Sequence, residues 1–509
     1  MRLARAHAVT ATPTESTADD HPALAARTVR NVAWLGSAQA LRQLAAIGTT
    51  VVLARFLQPG DYGMFAMTLF VSELAQLFVD FGIGSALVQR KTVDQRMLST
   101  CFWINVGIGL AASALVVVSG PLASSYFKQP QLVQLLVVSA LNLLVSAISV
   151  LPQTVLARQL SFGPIAMATT LGSFGGAAIT IAMAMAGFGV WALVCQPLIG
   201  SSITLVYLVW RSGWWPSRVF DLESVRGVLG MSGHLLVGSV ISHVTRNLPH
   251  LMLAPALGAA ATGLLSMAMT IAWLPIAQFN AVAVRATYPA FALLQDSRER
   301  MRAAMFRALS IIMMVTLPVL AGLAVVAADL IPLVFGKQWQ PAVPLVPLFC
   351  ILSMVQCITA LANSTILAQG RADLTMKLAV LQFPLMAATL YLTRPHGLQV
   401  ASAGLALATA TSILIGFILA IRLLNGSLSE VVAALWRPMA ATLLMTAAMS
   451  AAAPALASPS VGPLLRVLAL CLLGTVVCLT ASYAFNRRTL LDFLGLLRGL
   501  LGKKASAAS

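Results

Sequence analysis

Fourteen apolar segments, each about as long as a bilayer-crossing helix needs, follow one another along this 509-residue chain with only short loops between them. They are expected at 31–54, 63–86, 99–121, 132–154, 163–186, 189–210, 228–251, 259–284, 304–327, 343–367, 375–392, 400–421, 438–456 and 464–484. In lipid, a spanning segment with no closed barrel must satisfy its backbone as a helix. The pattern therefore predicts an all-α polytopic membrane protein. Composition excludes the alternative: 59% of residues are hydrophobic and 9% charged, where soluble domains carry about 25% charged.

The loops set an orientation. With the N-terminus in the cytoplasm, the basic residues fall almost wholly on the inner side. Of 32 lysines and arginines, only Lys128, Lys337, Arg394 and Arg466 lie in outer loops, and Arg42, Arg55 and Arg246 lie in or beside helices. The net charge of +17 thus encodes topology, and without aromatic interleaving it does not point to nucleic acid. Residues 1–27 have no apolar core, which excludes a cleaved signal peptide and leaves a disordered cytoplasmic tail. A second tail is expected at 486–509. Cys101, Cys195, Cys350, Cys357, Cys471 and Cys478 lie in or at the ends of apolar segments and read as small hydrophobes, not disulfides or metal ligands. No loop is long enough to fold alone, so the work is done within the membrane.

An internal echo organises the chain. Leu53, Ala54, Leu57, Gly63 and Met67 recur 200 positions later as Leu253, Ala254, Leu257, Gly263 and Met267. This pairs spans 1–2 with spans 7–8 and suggests two halves that open with the same helix pair. The domains expected are an N-lobe at 28–215, a C-lobe at 216–424 and two further helices at 425–485.

The turn Leu53-Ala-Arg-Phe-Leu-Gln-Pro-Gly-Asp-Tyr-Gly63 resembles the first-loop motif of bacterial polysaccharide-exporting flippases of the Wzx type. So do Gly187-Phe-Gly-Val-Trp-Ala-Leu193, Tyr288-Pro-Ala-Phe291, Phe335-Gly-Lys-Gln-Trp339 and Leu367-Ala-Gln-Gly-Arg-Ala-Asp373. That family belongs to the multidrug/oligosaccharidyl-lipid/polysaccharide (MOP) exporter superfamily. The resemblance covers about residues 30–420, and the last two spans match only in length and placement. It implies two pseudo-symmetric six-helix lobes about an axis along the membrane normal, enclosing a cationic cavity. It also implies a substrate of the undecaprenyl-diphosphate oligosaccharide kind, carried from the cytoplasmic to the outer leaflet of the bacterial inner membrane. Membrane lipid, a polysaccharide polymerase and glycosyltransferases are the partners it suggests.

Several intramembrane polar residues need a reason. An arginine at mid-span costs about 2.5–3.5 kcal/mol on insertion scales, so Arg42 is expected to face a wet cavity or an acid, Glu73 being the nearest candidate. Arg246 maps under the 200-residue offset to position 46, one turn from Arg42 on the same face. Two arginines approaching from opposite lobes would grip a diphosphate, since guanidinium forks match phosphate oxygens and stay charged when desolvated. The competing reading lets Arg246 snorkel to the surface. His243 and His250 flank Arg246 and would bind sugar hydroxyls or protons, or merely hydrogen-bond within the bundle; His234 is a weaker candidate. Glu73, Gln76 and Asp80 form a polar stripe on span 2, with Glu73 and Asp80 the candidates for coupling to H+ or Na+. Gln356, Thr359 and Asn363 form an uncharged stripe on span 10, suited to sugar contact or to helix–helix bonding.

Gly172-Ser-Phe-Gly-Gly176 lies inside a span with no following Lys-Ser/Thr, so no nucleotide or other cofactor is expected. A secondary transporter working by alternating access follows. Within that class, a lipid II or multidrug exporter is the competitor. A membrane-embedded glycosyl polymerase or ligase would need exposed acids or a large outer loop, and neither is present.

Overall fold

The computed structural model describes residues 42–43, 45–79, 83–90, 92–221, 233–277, 291, 293–294, 297–456 and 462–505. Among these no strand occurs, and the apolar segments form helices. The first half contains α1 (Ala45–Phe56), α2 (Pro59–Val79), the short α3 (Ile83–Gln89), α4 (Gln95–Phe127), α5 (Leu132–Arg158), α6 (Phe162–Met185) and α7 (Val190–Ser212). The second contains α8 (Gly233–Trp273), α9 (Arg298–Val334), a 3-10 segment at Lys337–Leu345, α10 (Val346–Ala368), α11 (Ala372–Thr393) and α12 (Leu398–Leu423). Then come α13 (Leu428–Ala455) and α14 (Pro463–Ala505).

Among the described residues, twelve helices are long and apolar enough to cross a membrane. The difference from the expected fourteen arises at two places. The described part of α1 is short, and α8 carries two expected spans joined at a kink. A straight helix of 41 residues would reach about 62 Å, twice the hydrocarbon core. Gly258, at φ 84 and ψ 174, breaks it, a left-handed φ that glycine adopts without a steric penalty. The chain folds back there, because Pro249 and Met269 line one cavity although a straight helix would part them by about 30 Å. Two boundaries differ from expectation. The span expected at 63–86 is divided between α2 and α3, and α14 continues past the anticipated end at 484 to Ala505.

The 200-residue echo is a physical exchange between the halves. Ala54, on α1, is buried in the hydrophobic core of the second half, and Ala254, on α8, is buried in that of the first. A Cβ placed on Gly63 would overlap the carbonyl oxygen of Ala259, and one on Gly263 would overlap that of Pro59. Each glycine lets the opposite helix approach to backbone contact, and each contact is the other's image under the same offset.

Around this junction, side chains close the ends of helices. Arg55 donates from Nε to Val334 O (2.8 Å) and from Nη2 to Leu333 O (2.6 Å) at the C-terminus of α9. In return Gln338 Nε2 (2.6 Å) and Trp339 Nε1 (2.8 Å) donate to Ala54 O near the end of α1. Such bonds satisfy carbonyls that a helix C-terminus leaves without partners. Tyr126 Oη likewise donates to Leu251 O on α8 (3.1 Å). We call this the turn end of the molecule. The last two helices pack on α9 through Val326, Met445, Met449 and Leu470, and Arg466 ties α14 to Asp329 at 3.2 Å.

Candidate functional site

Three neighbouring cavities run across the two lobes. The first, about 350 Å³, lies within the first lobe between α1, α6 and α7 and contains Arg42, Thr169, Gln196 and Thr204. The second, about 440 Å³, lies between the lobes and is lined by Tyr62, Glu73, Gln196, Asn247 and His250. The third, about 280 Å³, lies within the second lobe and contains Ser242, Thr245, Arg246, Gln356 and Gln382. Ala46, Thr49 and Gln196 border both the first and the second, and Met269 borders both the second and the third.

The outer two cavities are pseudo-equivalent. Positions 42, 45, 46 and 49 line the first, and 242, 245, 246 and 249 line the third. The arginine occupies the first of these positions in one lobe (Arg42) and the third in the other (Arg246), which sets the two guanidinium groups one turn apart. Both thus line cavities within the helical bundle. The expectation that they grip across one shared chamber is corrected: each helix presents its arginine to a cavity of its own lobe, and the central cavity separates them. Arg42 Nη1 donates to Thr169 Oγ1 on α6 (2.5 Å). Gln356 shares the third cavity with Arg246 as the polar stripe suggested, whereas Asn363 is exposed and lines none of these three.

A second correction concerns Glu73. Its partner is His243 across the lobe boundary, with Nδ1 and Oε2 3.7 Å apart, and not the expected Arg42. His243 is buried, stacks on Phe70 at 5.9 Å and lies 3.2 Å from Phe70 O. Its neighbours on α8 therefore diverge although they share one face. His243 meets α2, Arg246 enters the third cavity and His250 enters the central one. The reason is that α2 crosses α8 there and covers only part of that face. Asp80 lies outside the described residues, as does the side chain of His234.

Tyr62, Gln196 and Asn247 join the site without having been singled out. Gln196 and Asn247 are uncharged amides inside apolar spans, each beside a proline-bearing turn, and that was a readable signal. Pro197 and Pro249 lack the N–H that would bond Leu193 O and Thr245 O, so two carbonyls in these linings have no helical donor. Two residues of the central lining, Tyr62 and His250, each carry a buried polar atom without a hydrogen-bond partner, Oη and Nδ1.

The arrangement is that of a bundle of apolar helices, long enough to cross a membrane, with polar side chains lining its interior cavities. Comparison with solved structures agrees. Superposition on a lipid II flippase, MurJ, in an inward closed conformation gives a TM-score of 0.71 over 89% of this chain and 98% of that one, at 14% identity. A MOP-superfamily multidrug resistance transporter of the MATE family, in an inward-facing conformation, gives 0.58 over 75% and 94%, at 16% identity. These likenesses establish the fold. The family model for polysaccharide biosynthesis proteins matches residues 52–344, and the chain belongs to that family. It is 28% identical to the lipopolysaccharide biosynthesis protein WzxC of Escherichia coli over 65% of this chain and 67% of that one. It is 29% identical to the teichuronic acid biosynthesis protein TuaB of Bacillus subtilis over 59% and 62%. It is also 26% identical to the succinoglycan biosynthesis transport protein ExoT of Rhizobium meliloti over 65% and 67%.

Proposed function

We propose that this protein is a flippase for a polyprenyl-diphosphate-linked oligosaccharide, carrying it from the cytoplasmic to the outer leaflet of the bacterial inner membrane for a surface polysaccharide. The observation that carries this reading is the placing of Arg42 and Arg246 in interior cavities, where a guanidinium is retained at a cost and an anionic cargo gives it a use. A cationic-drug exporter would favour acids at these places, and a polymerase would need exposed acids.

Both termini lie in the cytoplasm in this reading, as the loop charges require, and the turn end faces outward. Glycosyltransferases would supply the substrate and a polymerase would consume it. The lobes rock about the central cavity, opening it to one side and then the other. The sugars pass through the polar interior while the polyprenyl tail stays in lipid.

Arg42→Ala and Arg246→Ala should each abolish export of surface polysaccharide without loss of the protein from the membrane. Full export by both variants overturns the reading. Glu73 is the candidate for coupling to H+ or Na+, so Glu73→Gln should lower transport driven by an imposed gradient. Unchanged gradient dependence leaves Glu73 a structural partner of His243.

A further inference from the structure

The chain leaving the first half is strapped along it before the second half begins. After α7, Gly213 turns the backbone at φ 58, a left-handed value that glycine takes without penalty. Residues 213–221 then run without helix beside the first turns of α4. Trp214 Nε1 donates to Gln95 Oε1 (2.7 Å), and Gln95 Nε2 donates to Trp215 O (2.9 Å). Ser217 N donates to Ser99 Oγ (2.9 Å), Trp103 Nε1 to Ser217 O (3.0 Å) and Asp221 N to Thr100 Oγ1 (3.0 Å). These bonds fix which side chains face out. Trp214 turns inward, edge-on to Phe102 at 5.8 Å, whereas Trp215, Arg218 and Phe220 are exposed.

The strap lies at the depth of lipid headgroups. With 33 residues, α4 rises about 50 Å against a hydrocarbon core of about 30 Å, so its end turns stand in the headgroup layers. The strap is bonded to those turns, from Gln95 to Trp103. Trp215 is 70% exposed and Phe220 59%, and rings with this much free surface are what the membrane interface accommodates. Beside them stand two exposed cations, Arg211 at the end of α7 and Arg218 on the strap. Among the described residues neither guanidinium has a hydrogen bond or ion pair. Arg211 lies over the Trp210 ring at 5.9 Å. The carboxylate of Asp94 is engaged elsewhere, accepting from Met97 N at the start of α4 (2.9 Å).

We propose that this rim is a binding site for an anionic phospholipid of the surrounding membrane. Arg211 and Arg218 take the headgroup phosphate, since a guanidinium fork matches phosphate oxygens and stays charged near the hydrocarbon. Trp103, Trp215 and Phe220 pack against the glycerol backbone and the upper part of an acyl chain. A zwitterionic lipid fits less well, because its own ammonium offsets the attraction. The strap carries the chain from one half to the other, so a lipid held there anchors that link to the membrane surface. The site stands apart from the interior cavities, and its occupant is a bilayer lipid and not the cargo.

The test uses the full-length protein in phosphatidylcholine nanodiscs that contain a minor share of a photoactivatable probe. The probe is phosphatidylglycerol or phosphatidylcholine with a diazirine at the top of one acyl chain, and crosslinked peptides are mapped by mass spectrometry. Peptides covering 95–103 and 210–221 should take up the phosphatidylglycerol probe about 25-fold better than the other, at about fivefold for each arginine at an anionic surface. Arg218→Gln should lower that preference to about fivefold, and the double variant with Arg211→Gln should bring it to about one. Labelling by the phosphatidylcholine probe, on the strap and around Tyr126 at the turn end, should stay unchanged, which shows that the variants have folded. A wild-type preference near one, or one that survives in the double variant, overturns the site. Displacement of the phosphatidylglycerol probe by millimolar inorganic phosphate also overturns it, because the arginines would then hold free phosphate and not a lipid.

Discussion

The two lobes meet at two levels along the same pair of helices, α2 and α8, and the levels are built differently. At the turn end, contact is backbone to backbone. Gly63 and Gly263 admit the opposing carbonyls, Ala54 and Ala254 sit in each other's cores, and Trp339, fully buried, bonds across the gap. About 10–15 Å away along α2 by helix rise, contact includes His243, stacked on Phe70 and near a Glu73 side chain that is 53% exposed. The first is a close-packed seam that is lost as a whole. The second is a side-chain latch that can open by rotamer changes. We expect a protein joined in this way to part more readily at the end away from the turns.

The sharpest way to break that contrast is Trp339→Ala. It removes a buried indole, its bond to Ala54 O and the surface that holds Tyr62. Large-to-small changes at such aromatics cost about 3–5 kcal/mol. We expect a lowered unfolding temperature in detergent, and a cysteine introduced at position 338 should become accessible to a water-soluble maleimide in a background free of native cysteines. An unchanged labelling rate would show that the indole does not hold the seam.

Next in size come the glycines. Gly63→Ala and Gly263→Ala each force the helices apart, at about 1–3 kcal/mol as for overpacked cores. Because the two contacts are images of each other, the two variants should destabilise equally. The double variant should fall short of the sum, since helices already parted by the first methyl leave room for the second. Full additivity in thermal unfolding would mean that the two contacts give way independently.

Much of this was legible in the amino-acid sequence. Spans and loop charges disclosed the helices, and the echo disclosed Ala54 and Gly63, which with their images Ala254 and Gly263 make the reciprocal contacts between the halves. What stayed hidden depended on how helices cross. Arg42 and Glu73 lie near each other in sequence and looked like partners, but α2 turns its carboxylate towards α8 and His243. The offset put Arg42 and Arg246 at kindred positions but could not tell one chamber from three, because a cavity's walls come from helices far away in sequence. Tyr62 stood in the quoted turn motif, yet only the structure reveals that its ring packs edge-on against Trp339.

The smallest effect on stability belongs to the latch. In Glu73→Gln a half-exposed carboxylate becomes an isosteric amide, and such exposed pairs contribute at most about 1 kcal/mol. Thermal unfolding should barely move, because the stacking of His243 on Phe70 remains. The conformational equilibrium should respond more, since a difference of about 1 kcal/mol changes a two-state ratio roughly fivefold. A spin-label pair at positions 77 and 240, on α2 and α8 beyond the latch, should then report a larger share of the separated state, while a pair at the turn end keeps its distance. If both pairs broaden together, the lobes move as one stiff joint, and the division between a fixed seam and a yielding latch is wrong.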